Sequence, residues 1–131
     1  MADLERLARA HNRFMVAFDL ALGGGALAAP ATTLKVLGHD PPSPEAEAMF
    51  RRQAPVWLTF AAAHLVAAVR DEPRDWWALA WLRGTEIATD ALWSASPAVS
   101  RPGAKAALRF ASASNLAMAT GFAWMARREG R

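Results

Sequence analysis

Four apolar stretches, each closed by charge, proline or a polar turn, constrain this chain more than any other feature: Phe14 to Ala29, Ala54 to Val69, Trp76 to Ser94 and Phe110 to Ala126. Each is 16 to 19 residues long, at the lower edge of the about 17 to 25 that a helix needs to cross a bilayer. Their composition makes them helices. Alanine supplies 32 of the 131 residues, whereas Val, Ile and Tyr supply 6, 1 and 0, so the residues that stabilise a pleated sheet are missing. The expectation is all-α, one domain over residues 1–131, and an apolar fraction of 53% excludes disorder. With no cysteine, there is no disulfide framework, thiolate zinc site or cysteine nucleophile.

Fifteen basic residues against twelve acidic ones leave a net charge of only +3. They fall in twos and threes at the ends of the apolar stretches and not along one face between exposed aromatics, which argues against nucleic acid and for a membrane surface.

Helix boundaries are legible from caps and breakers. Leu4, Leu7, Ala8 and Phe14 recur at helical spacing among Glu5, Arg6, Arg9 and Arg13, an amphipathic entry that extends the first helix over about Ala2 to Ala29, where Pro30 stops it. Thr32 to Leu37 then form a short interfacial helix closed by Gly38. Ser43 as N-cap, Pro44 in the first turn and Glu45 and Glu47 at the positive end of the dipole start the second long helix, which runs to about Arg70. The third runs from about Arg74 to Ser94, and the fourth follows the breaker segment Ser96 to Gly103 and ends at Arg127 and Arg128. The first apolar stretch has no small-residue cleavage site with a soluble domain behind it, and so reads as a retained span.

Two arguments compete over the membrane. The mean hydropathy is only +0.06, and Arg83, Glu86 and Asp90 each cost about 2.5 to 3.5 kcal/mol at a span centre. Against this, Trp76, Trp77, Trp81 and Trp93 lie near the ends of their stretch, as in an interfacial aromatic belt, and the glycine run Gly23 to Gly25 suits close helix contact in lipid. Ala54 to Val69 offers only Thr59 and His64 as polar side chains, too few for the wet face of a soluble helix. An integral membrane four-helix bundle, up-down-up-down, is the favoured expectation, with a soluble helical interaction module as its alternative. Eight arginines in the terminal and second-loop segments against five basic residues in the other two loops place both termini on the cytoplasmic side of a bacterial-type inner (plasma) membrane.

The layout from Leu20 through Pro30, Leu34 to Gly38 and the Pro-rich turn, then Arg51 to Val69 and the acidic turn Arg70 to Arg74, resembles the small four-span bacterial membrane proteins of the DoxX-like group and its uncharacterised neighbours. The resemblance is one of organisation over most of the chain. It implies an integral four-helix bundle, sometimes an accessory to a quinone-linked oxidoreductase, and it carries over no catalytic residue.

Polar residues inside the apolar stretches are the candidate site: Asp19, His64, Arg83, Glu86, Asp90, Arg109 and Asn115. At membrane depth each must find a partner or a function. Positions 83, 86 and 90 share one helix face. At 1.5 Å per residue, Asp19, His64 and Arg83 fall roughly 8 to 12 Å from one end of the bundle, Glu86 and Asn115 about 16 Å in, and Asp90 with Arg109 roughly 22 to 26 Å in. The count predicts an Asp90–Arg109 ion pair across the third and fourth helices. Internal ion pairs that set helix register are the plainest role for this stripe. A polar pocket for a quinone headgroup or another apolar ligand, or a proton path through His64 and Glu86, is the functional one. His64, Glu86 and Asp90 lack any diagnostic metal-ligand spacing, and no cofactor or catalytic residue is assigned. His11 and His39 read as solvated, Ser112 and Ser114 as bonded to their own helix, and the glycine run as close packing, since no phosphate-loop Lys follows it. The expectation is thus a non-enzymatic membrane subunit, or a module binding an apolar ligand or partner membrane subunit. The alternative enzyme would use Glu86 or Asp90 as acid and His64 as base.

Overall fold

The computed structural model describes residues 1–128, which form five helices and, among the described residues, no strand. They are α1 (Ala2–Ala28), α2 (Pro30–Val36), α3 (Pro44–Arg70), α4 (Pro73–Ala95) and α5 (Pro102–Arg128). Every helix after the first begins on a proline, whose fixed φ and missing N–H suit the first turn. Ser43 caps α3 by accepting a hydrogen bond from the Ala46 amide at 3.2 Å. At the other end of α3, Asp71 takes a left-handed conformation (φ 55°) and its amide donates to the Ala67 carbonyl, which turns the chain into α4 within two residues.

The four long helices form a ring in the order α1, α3, α4, α5, with α1 also flanking α5 and no close backbone approach across the diagonals, which only side chains bridge. Neighbours are antiparallel: Asn12 of α1 meets His64 of α3, and Ser112 of α5 meets Ile87 of α4. Two tight pairs, α1 with α3 and α4 with α5, face each other across looser seams. Gly23 permits the first pairing, since a Cβ there would stand 2.8 Å from Leu58 Cδ2 and 3.2 Å from the Ala54 carbonyl. Gly38 closes α2 at φ 104°, and a methyl there would collide with Ala104 of α5. The Ser100 amide donates to the Gly38 carbonyl at 3.1 Å and Arg101 to the carbonyls of Lys35 and Val36, so α2 is tied to the start of α5.

One apolar cluster, centred on Trp76, Leu79, Phe122 and Met125, fills the end that carries the start of α1. A second, with Ala26, Leu34, Phe50 and Trp57, fills the opposite end. Trp76 therefore corrects the aromatic-belt expectation: its ring is fully buried and its Nε1 donates to Asp71 at 2.9 Å, leaving Trp77 and Trp81 as the exposed rings. His39 is corrected too, because its Nε2 accepts from Trp93 Nε1 at 2.7 Å, and burial pushes its pKa down. Ser112 donates across the helix pair to the Ile87 carbonyl at 2.8 Å instead of to its own helix.

An ion-pair clamp ties the start of α1 to the end of α5. Glu5 pairs with Arg128 and Arg9, and Arg9 with Asp71 at 2.7 Å. Both ends of the described chain thus lie at one end of the bundle; Arg131, counted with that end in the charge comparison, lies outside the described residues. Arg128 first and Arg9 second hold the Glu5 carboxyl at about 2, below its ordinary 4.5. A carboxyl lowered on folding adds stability above its unfolded value and loses it as pH falls through the folded one. The clamp is therefore expected to loosen from pH 4.5 down to about 2, and Glu5→Gln to flatten that segment of a plot of thermal stability against pH. An unchanged slope in the variant would show that Glu5 contributes nothing.

No helix among the described residues is long and apolar enough to cross a membrane. The expectation of four spanning helices is not met by any helix taken alone; in α4 the charges Arg83, Glu86 and Asp90 interrupt the apolar stretch.

Candidate functional site

Inside the ring, Asp19 of α1, His64 of α3 and Arg83 of α4 meet in one layer. Their exposures are 1%, 0% and 2%, and a buried charge is retained only with a partner. Arg83 crosses the bundle diagonal: its Nη2 donates to Asp19 Oδ2 and its Nε to His64 Nε2 at 3.0 Å. With Nε2 accepting, the imidazole proton sits on Nδ1 and is donated to Asn12 Oδ1, 2.6 Å away. Asn12 Nδ2 in turn donates to the His64 carbonyl at 3.0 Å. Asn12, which the sequence reading missed, completes the network. Its signal was available, one polar residue at helical spacing from Ala8, Met15 and Asp19 on the buried face of α1.

Beside this layer each seam between the two helix pairs holds a cavity. One, of about 380 Å³, lies between α1 and α5, with Phe18 and Leu22 on one wall, Ala107 and Ala111 on the other, and Arg83, Glu86 and Asp90 of α4 along its floor. Phe14 and Phe110, 61% and 75% exposed, also line it, so its mouth is on the outer surface of the bundle. The other, of about 450 Å³, lies between α3 and α4. Trp57, Glu86, Thr89 and Trp93 line both and form the partition between them.

Asp90 does not pair with Arg109, which corrects the depth count. Asn115 Nδ2 donates to Asp90 Oδ2 at 2.8 Å, while Arg109 is exposed and lines neither cavity. Equal depth was insufficient, because Arg109 sits on the outer face of α5 and Asn115 on its inner face. Asn115 is 5% exposed, lines the first cavity, and leaves its Oδ1 buried without a donor. His64 lines neither cavity. Among the described residues no group of three or more His, Cys, Asp or Glu side chains is placed to hold a metal ion.

The seven candidates thus divide by geometry. Asp19, His64 and Arg83 form a closed, mutually satisfied layer, Glu86, Asp90 and Asn115 form the polar floor of an apolar cavity, and Arg109 stands apart on the surface. No family model, curated protein or solved structure matches the chain.

Proposed function

We propose that this chain is a membrane-embedded helical bundle acting as a non-enzymatic binding module or subunit, which holds a small apolar ligand in the cavity between α1 and α5. The observation that carries the reading is an inverted distribution of polarity. Along the middle of the bundle the charged side chains Asp19, Arg83, Glu86 and Asp90 are buried or half-buried, while the exposed positions are mainly apolar and include Phe14, Phe18, Leu65, Val66, Trp81, Leu92, Phe110 and Leu116, with Arg109 as an exposed charge at that depth. A bundle in water has the opposite need, a polar outer face on each helix. In lipid an apolar exterior costs nothing and inward charges find partners, so α4, too polar to insert alone, is shielded by its neighbours. Basic residues at the clamped end, among them Arg6, Arg13, Arg70, Arg74 and Arg127, favour a cytoplasmic location for both termini.

One fusion tests both parts. With alkaline phosphatase joined at the C-terminus, the protein is expected to stay in the pellet after alkaline carbonate washing and the enzyme to be inactive. Release into the supernatant without detergent would end the membrane reading in favour of a soluble interaction module, and an active phosphatase in the pellet would reverse the orientation.

The enzyme reading keeps one supporting feature, the cavity beside Glu86. It loses the base assigned to it, since both ring nitrogens of His64 are engaged by Arg83 and Asn12.

A further inference from the structure

The cavity between α1 and α5 has an unbalanced floor. Among the described residues Arg83 is the only arginine or lysine lining either cavity, and it is already engaged by Asp19 and His64. Two carboxylates face the space without a basic partner: Glu86 has no ion pair among the described residues, and Asp90 has only the Asn115 amide. Beside them the Asn115 Oδ1, nine-tenths buried, is an acceptor with no donor. Buried acceptors left unmade are costly, and buried carboxylates more so. The two carboxylates and the Asn115 Oδ1 therefore ask for donors, and the carboxylates for positive charge. Around the floor stand Trp57 and Trp93, whose ring faces attract a cation, and the apolar walls of Phe18, Leu22, Ala107 and Ala111.

We propose that the occupant of this cavity is a single-chain alkylammonium amphiphile, its N–H groups on Glu86, Asp90 and Asn115 and its chain between α1 and α5. An ammonium supplies three donors and one positive charge from one atom, which suits two carboxylates one helical turn apart on the face of α4 that lines the cavity, with the Asn115 amide beside Asp90. A neutral headgroup such as a quinone carries acceptors and would repeat the deficit. This inference rests on the binding reading above and adds the charge of the ligand to it.

The test compares probes of one chain length on the full chain in maltoside micelles: decylammonium, decanol and decanoate, followed by tryptophan fluorescence, since Trp57 and Trp93 line the cavity. Decylammonium is expected to bind about tenfold or more tighter than decanol, as charge-assisted hydrogen bonds require, with decanoate weakest. Glu86→Gln with Asp90→Asn, isosteric changes that remove charge and keep shape, should abolish the preference and leave decanol binding as it was. Asn115→Leu, the check if that double variant fails to fold, should weaken decylammonium about threefold by removing one acceptor. Equal binding of decylammonium and decanol, a preference that survives the double variant, or an undiminished preference in Asn115→Leu overturns the cationic headgroup while leaving an apolar ligand in place. Binding of none of the three probes overturns both.

Discussion

Arg83→Met is expected to destabilise the bundle by about 3 to 5 kcal/mol, the range for removing one partner of a buried ion pair. The loss arises because Asp19, 1% exposed, would lose its counter-ion and His64 Nε2 its donor. The pair itself contributes far less than its rupture costs, since its attraction mainly offsets the desolvation of two ions. Asp19→Leu combined with Arg83→Met should therefore recover most of the stability lost by Arg83→Met alone. Thermal unfolding in detergent of the two single variants and the double one measures the coupling, which for contacting residues amounts to about 0.5 to 3 kcal/mol. Additive losses would mean that Asp19 and Arg83 do not act as a unit, and the layer would lose its role as the strut between the two helix pairs.

Trp76→Ala is expected to cost about 3 to 5 kcal/mol, as for other fully buried aromatic truncations. The indole lies 5.6 Å from the Phe122 ring, donates to Asp71 and carries the Arg9 guanidinium 5.8 Å above it, so its loss opens a void and loosens the start of α1 together. Trp81→Ala is the control, on the same helix but 74% exposed, and in detergent it should change stability by only about 0.5 kcal/mol. Equal losses for the two would contradict the division of α4 into a core face and an outer face.

Much of the fold was legible along the chain because its signals are local. The scarcity of Val, Ile and Tyr, Ser43, Pro44 and Gly38 each act within a few residues of their own position, and the expected limits of α3, Pro44 and Arg70, are those observed, whereas Pro30, Pro73 and Pro102, expected as breakers, open α2, α4 and α5. Depth is also a local count, which is why Asp19, His64 and Arg83 were assigned to one layer and meet there. Azimuth is not local. Whether Arg109 or Asn115 faces Asp90 and whether Trp76 or Trp77 points inward depend on how each helix is rotated against its neighbours, and helix rotation is set by packing of the whole bundle. The cavity was beyond the sequence for the same reason. It exists because α1 packs tightly on α3 and α4 on α5 while the seams between the pairs stay loose. The residues alone determined a helical chain with a polar stripe at the depth of its apolar stretches. Only the tertiary arrangement decided that half of the stripe closes on itself as Asp19, Arg83 and His64, and that the other half, Glu86, Asp90 and Asn115, faces an apolar space with acceptors to spare.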